Sequence, residues 1–259
     1  MVFVSLSELY AYRVLLYSLV VRDLKARYRG STLGFFWTLL NPLLLMLTYT
    51  LVFSVYMRVE MTHYAAFLLT GLLPWLWFSS SLNMGAVSLV EGGGLLKKVF
   101  FPPQILPAVS VLSNFVNYLL SLPLLLGLLV VIGLPLGWAA FAIVPVATVQ
   151  LVLTYGLALA VAALTVRYRD LAQLLGNLLM LWFFLSPIIY PATLVPRQFI
   201  ALLALNPMAP LLVAYQDAIF WNTTPAWGSV AVVAIVAVAV LLGGVALFER
   251  FRWTLVEQV

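Results

Sequence analysis

Long stretches without any charged side chain constrain this chain of 259 residues more than any other feature. A charge at the centre of a bilayer costs about 2.5–3.5 kcal/mol, and one helical crossing needs about 20 apolar residues. Apart from the neutral His63, the charge-free stretches cover residues 30–57, 61–90, 99–166, 171–196 and 218–248. Each of them is long enough to cross a bilayer, so they predict membrane-spanning helices.

The stretches divide into six predicted spans. Residues 99–166 are long enough for two crossings, and Gly133, Pro135 and Gly137 predict a turn near the middle. The predicted spans are about 32–57, 64–90, 105–132, 138–166, 171–191 and 228–248. We therefore expect an all-α integral membrane protein, with a six-span transmembrane domain at residues 31–259.

Lysine and arginine are distributed unevenly between the two sides that six spans define. Eleven of them lie on the side of the two termini, and only Arg58 and Arg197 lie on the other side. Because basic residues concentrate in cytoplasmic loops, both termini are predicted to be cytoplasmic. This topology explains the formal net charge of +5, so we do not expect nucleic-acid binding.

Composition agrees with a membrane location and excludes some chemistry. Hydrophobic residues make up 65% of the chain and charged residues 8%, whereas a soluble domain carries about 25% charged residues. No cysteine is present, so disulfides, thiolate metal sites and cysteine nucleophiles are excluded. The first residues lack a basic stretch before an apolar one, so no cleavable signal peptide is expected.

Few side chains could carry catalysis or ion coupling. The single histidine, His63, lies at the outer end of a predicted span, and the eight acidic residues are dispersed. No acidic residue falls in the middle of a span, which argues against a proton- or ion-coupled carrier. The dipeptide Gly-Lys of a phosphate-binding loop does not occur. We expect no catalytic residue, metal site or cofactor in this chain, and any ATP must be bound by another chain.

Residues 1–30 are predicted to contain a cytoplasmic interfacial helix. Ser5 and Glu8 have the spacing of a capping box, and Asp23 and Arg27 have the i,i+4 spacing of a helical ion pair. Apolar side chains would lie in the interface while basic side chains meet lipid head groups. The alternative is a plain anchor that obeys the positive-inside rule.

Two connecting segments have unusual sequences. Residues 91–103, EGGGLLKKVFFPP, carry three glycines that are expected to end the second span, then a short helical piece with Lys97 and Lys98. That piece could dock on a soluble partner or could belong to an ordinary loop. The external segment, residues 192–227, is too apolar for an ordinary loop and is interrupted by prolines, which predicts short re-entrant or interfacial helices.

Polar side chains recur on one face of three predicted spans. In the first span these are Thr38, Asn41 and Thr48, with Tyr49 beside them; in the third, Ser110, Ser113, Asn114, Asn117 and Ser121; in the fifth, Gln173 and Asn177, with Phe184. Such stripes either hold helices together or line a polar conduit. The abundant aromatic residues either form an interfacial belt or provide rings that stack on sugars.

Three segments resemble the permease subunits of ABC transporters that export polysaccharides. They are RDLKARYRGSTLGFFWTLLNP at 22–42, LLKKVFFPPQILP at 95–107 and LNPMAPLLVAYQDAIF at 205–220. The likeness extends over nearly the whole chain in order. It is nearest to permeases that export O-antigen, with capsule and teichoic acid exporters as near relatives.

This resemblance implies a homodimer that pairs with two copies of an ATPase subunit, which binds ATP and magnesium. It implies that residues 91–103 are a coupling helix, with contacts from Glu91, Leu95, Lys97, Lys98, Phe100, Phe101 and Pro102. It implies that residues 5–28 are a gate helix whose Arg22, Lys25, Arg27 and Arg29 meet a lipid-linked pyrophosphate. It also implies a channel lined by Thr38, Asn41, Thr48, Tyr49, Gln173, Asn177 and Phe184.

The expected function is that of a permease moving an O-antigen-like, lipid-linked polysaccharide across the bacterial inner membrane. The alternatives with the same fold are permeases for a capsular polysaccharide, a teichoic acid, a lipid or a small molecule. An intramembrane enzyme or a scaffold is the alternative from another class.

Overall fold

The computed structural model describes residues 8–58 and 60–258, without the side chains of Tyr28, Phe35 and residues 252–258. Within that part of the chain, all regular structure is helical and no strand occurs. The prediction of an all-α membrane protein is therefore confirmed. Ser5, which was predicted to cap the first helix, lies outside the described residues.

The α-helices are numbered here in chain order. They are α1 (Arg13–Tyr28), α2 (Trp37–Thr50), α3 (Tyr64–Leu96), α4 (Ile105–Val131), α5 (Ile143–Arg167), α6 (Leu171–Phe184), α7 (Ile200–Leu205), α8 (Met208–Tyr215) and α9 (Trp227–Gln258). π-Helical turns extend α2 over Leu51–Tyr56 and α8 over Gln216–Phe220. A 3₁₀ turn at Gly34–Phe36 leads into α2, and another at Trp138–Ala142 leads into α5.

Five helices of the described chain are long and apolar enough to cross a membrane. They are Trp37–Tyr56, Tyr64–Leu96, Ile105–Val131, Trp138–Arg167 and Trp227–Phe251. A sixth crossing results only if Arg197–Leu205 and Met208–Phe220, which are bent by 101° relative to each other, count as one broken span. The architecture thus has five to six membrane-competent helices.

The helix in the predicted fifth span, 171–191, is shorter than expected. It ends at Phe184 after 14 residues, which is only about 21 Å at 1.5 Å per residue. The physical reason is Pro187, which has no amide hydrogen and disfavours a helical conformation at the residue before it. An irregular stretch follows, and α7 and α8 come after it.

The segment 91–103 also differs from the prediction. The three glycines do not end the second span, because α3 continues through them to Leu96. Gly92 is a packing position, since a methyl group built on it would overlap the side chain of Leu106 at the start of α4, whereas nothing lies within 4 Å of a methyl group built on Gly94. Lys97 and Lys98 therefore lie in a turn after α3 and not in a separate short helix.

Two glycines bring α5 and α9 into close contact. A methyl group built on Gly244 would overlap the backbone of Gly156, and one built on Gly156 would lie 2.7 Å from the Cα atom of Leu241. Close approach at small residues is a general way to pack helices in a bilayer, where the hydrophobic effect does not drive association. These glycines join the last span to the remainder of the bundle.

We expect Gly244→Ala to lower the thermal stability of the detergent-solubilised protein. Overpacking a closed contact costs about 1–3 kcal/mol, because the two backbones must separate. The matched control is Gly243→Ala, where nothing lies within 4 Å of an added methyl group. Alanine favours the helix by up to about 1 kcal/mol over glycine, so this control is expected to unfold at the same or a higher temperature. Equal unfolding temperatures for the two variants would contradict the close contact between Gly156 of α5 and Gly244 of α9.

Candidate functional site

The four basic residues predicted to meet a pyrophosphate separate onto two faces of α1. The Arg27 guanidinium donates from Nε (3.0 Å) and Nη2 (2.7 Å) to Asp23 Oδ2, which confirms the expected i,i+4 ion pair. Its Nη1 donates to Asn114 Oδ1 of α4 at 2.8 Å. Arg27 therefore neutralises Asp23 and joins α1 to α4.

Of the other three basic residues, Arg22 and Lys25 are exposed on the opposite face of α1, and Arg29 is exposed directly after its end. Together with Ser18, Val21 and Ala26 they line a shallow surface pocket of about 370 Å³. Within the described part of the chain, no ion pair joins any of the three to an acidic side chain. We call these three residues the basic cluster. It leaves three positive charges available to an anion.

A polar cavity of about 460 Å³ lies between α1, α2, α3 and α4. Its wall includes Thr38 and Asn41 of the predicted first-span stripe and Asn114, Asn117 and Ser121 of the third-span stripe. The remaining lining residues are Arg27, Ser31, Trp37, Pro42, Leu73, Leu76, Trp77, Ser80 and Tyr118. The two stripes thus face each other across a space inside one chain, which we call the polar cavity.

A separate groove of about 270 Å³ lies between α2, α3 and α6 and contains both Tyr49 and Phe184. The Tyr49 ring stacks on Phe183, with the ring centroids 5.5 Å apart and the planes at 28°. Phe183 meets Phe184 edge to face at 5.2 Å, and its ring centroid lies 5.9 Å from that of Trp75. We call this the aromatic groove. It combines exposed ring surface with the polar side chains of Ser79 and Asn83.

The other predicted channel residues lie in neither space. Thr48 is exposed, and its hydroxyl donates to the carbonyl oxygen of Leu44 at 2.8 Å. Gln173 and Asn177 are exposed on α6 and line neither the cavity nor the groove. Within one chain, the seven residues therefore do not form a single lining.

The turn between α3 and α4 combines anchored and projecting side chains. Phe101 is 6% exposed and Pro102 is buried, whereas Phe100 is 100% exposed. Of the remaining residues predicted to couple to an ATPase, Glu91, Lys97 and Lys98 are exposed and Leu95 is half-buried. A fully exposed aromatic side chain beside exposed charges is typical of a protein-binding surface. We call Glu91, Lys97, Lys98 and Phe100 the projecting surface.

One buried contact at this end of the molecule could not be predicted from the sequence. Gln104, directly after Pro102 and Pro103, is 1% exposed, and its Nε2 donates to the Glu8 carboxylate. The contact joins the start of α4 to the helical residues 8–11 that precede α1. A single glutamine at a helix start is a weak signal, so pattern analysis gives it no role.

A buried hydrogen-bond network attaches α7 and α8 to the end of α6. Asn206 Oδ1 accepts from Trp182 Nε1 at 2.7 Å, and Asn206 Nδ2 donates to Ser186 Oγ at 2.8 Å. Gln216 Nε2 donates to the carbonyl oxygen of Pro187 at 2.7 Å. Irregular backbone within an apolar environment needs such partners. The network therefore supports the bend between α7 and α8.

No group of three or more histidine, aspartate or glutamate side chains converges as a metal site within residues 8–58 and 60–258. The ionisable side chains at the surfaces described above are mainly basic. The basic, amide, hydroxyl and aromatic side chains at these surfaces can bind anions, hydroxylated groups and protein.

Comparison with known proteins gives a consistent assignment. The sequence pattern of the ABC-2 type transporter family matches residues 14–220. The O-antigen export system permease protein RfbA of Myxococcus xanthus is 42% identical over 254 residues, which cover 97% of this chain and 98% of that protein. RfbA of Klebsiella pneumoniae is 30% identical over 91% of each chain. The polysialic acid transport protein KpsM of Escherichia coli is 24% identical over 92% of this chain and 93% of KpsM. This chain belongs to the ABC-2 type transporter family.

Proposed function

We propose that this chain is the membrane-spanning permease of an ABC exporter that moves a lipid-linked, O-antigen-like polysaccharide across the bacterial inner membrane. The observation that carries the proposal is the near full-length similarity to O-antigen export permeases. The five to six membrane-competent helices support it. The chain supplies the path and the docking surface, and it has no catalytic residue of its own.

A separate ATPase subunit, present in two copies, binds ATP and magnesium and drives transport. The chain has no Gly-Lys dipeptide, so it lacks the usual phosphate-binding loop. The projecting surface is the proposed docking site, because Phe100 can enter a pocket while Lys97 and Lys98 contact an acidic surface. Phe101 and Pro102 would hold this turn in place from within the fold.

The channel is proposed to form between two copies of the permease. Much of the surface of α2 and α6 is unpacked within one chain, as exposed Leu47 and Leu181 illustrate. If α2 and α6 of two copies face each other, Gln173, Asn177 and Thr48 gain a polar environment. The aromatic groove then borders the path and offers ring faces to sugar units as they pass.

The basic cluster is the proposed contact for the pyrophosphate of the lipid-linked substrate. Its three side chains are exposed and unpaired within the described chain, and they lie in the segment predicted to be interfacial. Arg27 is not part of this contact, since Asp23 already neutralises it. Its role is to position α1 against α4.

We expect Arg22→Gln/Lys25→Gln/Arg29→Gln to weaken binding of a lipid diphosphate about a hundredfold. Each basic residue near an anionic lipid surface contributes about 1 kcal/mol, and about 3 kcal/mol corresponds to about two decades in the dissociation constant. Binding of an undecaprenyl diphosphate to the purified complex in nanodiscs measures this. The control also removes three exposed positive charges, outside the cluster: Arg167→Gln/Arg169→Gln/Arg250→Gln. Equal losses of affinity in the two triple variants would mean that total charge, and not the cluster, attracts the lipid.

A capsule-type polysaccharide is the second candidate cargo, favoured by the identity of 24% to a polysialic acid transport protein. The two candidates are distinguished by deleting the gene and measuring each polymer at the cell surface and in the cytoplasm. If the protein exports O-antigen, the deletion strain accumulates lipid-linked O-antigen inside the cell. If it exports a capsule, the deletion strain still displays O-antigen at the surface and accumulates the capsular polymer inside. Normal surface display of both polymers would overturn the proposed function.

A further inference from the structure

The polar cavity has the size and the position of a binding site for a small group. Its volume of about 460 Å³ lies within the range of about 300–1,000 Å³ that is usual for small-ligand sites. It extends from Arg27 near the end of α1 to Leu73 and Ser80 in the middle part of α3. Polar side chains at that depth in a membrane protein usually face a functional space.

The cavity is polar but carries no net charge. The one lining residue that is charged at neutral pH is Arg27, and Asp23 Oδ2 accepts two hydrogen bonds from it. Its third bond goes to the neutral amide of Asn114. An anionic group placed there would have to displace Asp23 or remain uncompensated, so the cavity does not suit a phosphate. The basic cluster, on the opposite face of α1, suits a phosphate far better.

Two polar side chains of the wall remain open to a ligand. Asn114 and Ser121 are engaged with Arg27 and with backbone carbonyls. In contrast, the amide of Asn41 and the hydroxyl of Ser80 hydrogen-bond to no other part of the described chain. Polar groups on a membrane-spanning helix need a partner, because the hydrocarbon offers none. Hydroxyl groups could donate to and accept from both of them.

Two indole rings complete the wall. Trp37 is 38% exposed at the mouth, where its Nε1 donates to Ser31 Oγ at 3.2 Å. Trp77 is 2% exposed and packs against Phe115 and Tyr118, with ring centroids 4.8 and 5.3 Å away, so it shapes the wall without offering a free ring face. The apolar face of Trp37 can pack against C–H groups, while amides and hydroxyls bind the equatorial polar groups. The combination matches a neutral, polyhydroxylated ring.

We infer that the polar cavity of each protomer binds an uncharged sugar unit of the lipid-linked substrate, one of the first few units after the lipid diphosphate. This inference rests on the proposed function and adds a place where a sugar near the lipid is recognised. The diphosphate lies at the basic cluster on one face of α1, and the cavity lies on the other face. Because a helix with its side chains is about 10–12 Å across, the bound sugar is not the unit joined directly to the diphosphate. The diphosphate and a nearby sugar are then both recognised beside α1 before transport begins.

The test uses a single cysteine, because the chain has none of its own. Ser80→Cys, in complex with the ATPase and without ATP, is treated with a maleimide, and the modified permease is measured in a gel. At a glycolipid concentration about ten times the dissociation constant, occupancy slows modification about tenfold. The probes are undecaprenyl diphosphate carrying a short oligosaccharide, undecaprenyl diphosphate without sugar, and the free oligosaccharide.

We expect the sugar-bearing lipid to protect Ser80→Cys, the sugar-free lipid not to protect it, and the free oligosaccharide to protect it only at higher concentration. The control is Ser88→Cys, a half-buried position two turns along α3 that does not line the cavity and should label at the same rate with every probe. Equal protection by the sugar-free lipid, or protection of both cysteines, would overturn the inference. So would absence of protection by the sugar-bearing lipid.

A second variant, Asn41→Leu in the Ser80→Cys background, separates recognition from general access. It removes an open amide, so we expect about tenfold more sugar-bearing lipid to be needed for the same protection, which corresponds to about 1.4 kcal/mol. Unchanged protection would contradict a role of Asn41 in binding.

If export persists while protection is absent, the cavity inference fails and the proposed function stands. If export itself fails to depend on this chain, the proposed function fails first.

Discussion

Lys97→Glu/Lys98→Glu/Phe100→Ala is expected to abolish ATP-driven polysaccharide export while the permease stays folded. Phe100 is 100% exposed, so its removal takes no contact from the permease core. Loss of an aromatic anchor costs an interface about 2 kcal/mol or more, and reversed charges add like-charge repulsion of a few kcal/mol. A combined loss of about 4 kcal/mol weakens association with the ATPase about a thousandfold.

Co-purification of the ATPase and export in the same cells measure this effect. The matched control is Phe141→Ala, which removes another exposed phenylalanine, 67% exposed, in the 3₁₀ turn that leads into α5. That variant should bind the ATPase and export normally. If the triple variant retains both partner binding and export, the projecting surface is not the docking site. A further variant, Phe101→Ala, removes a buried ring, so its main effect should be a lower thermal stability of the permease. This effect distinguishes Phe101, which holds the turn in the fold, from Phe100, which contacts the ATPase.

The second large effect is expected in the aromatic groove. Tyr49→Ala/Phe184→Ala should reduce the export rate about tenfold or more while leaving ATPase binding intact. A ring contact contributes about 0.5–1.5 kcal/mol beyond its buried area, so losing two rings removes about 1–3 kcal/mol from the interaction with passing sugars. Tyr49→Phe keeps the ring that stacks on Phe183 and should export at nearly the normal rate.

Export of labelled polymer per unit of ATPase activity is the readout, because it separates transport from energy supply. The control is Trp138→Ala, which removes an 87% exposed ring that lies outside the groove. An unchanged export ratio in the double variant would eliminate the groove as part of the path. Equal loss in the Trp138 variant would attribute the effect to membrane anchoring instead.

Much of the fold follows from the positions of the charges, because one energetic term dominates. Burying a charge in hydrocarbon is so costly that charge-free stretches locate the membrane-competent helices. The ends of elements depend on smaller, local terms. Pro187 ends α6 early, while Gly92 permits α3 to continue past the expected stop, because its lack of a side chain admits Leu106.

The candidate site was harder to predict than the fold. Helical periodicity correctly grouped Thr38 with Asn41, but it could not show that the third-span stripe faces them across a cavity. Periodicity describes one helix, whereas a site depends on which helices are neighbours. For the same reason the ion pair of Asp23 and Arg27 was predictable, while the bond from Arg27 to Asn114, 87 residues away, was not.

The most direct test of the central claim is transport in a defined system. The permease and its ATPase are reconstituted in proteoliposomes with a fluorescent lipid-linked polysaccharide, and the polymer that reaches the opposite side is measured. We predict transport that requires both proteins and hydrolysable ATP, and that stops when the projecting surface is altered. Transport without ATP, or a permease that binds no ATPase under these conditions, would contradict the assignment of this chain as the permease of an ATP-driven polysaccharide exporter.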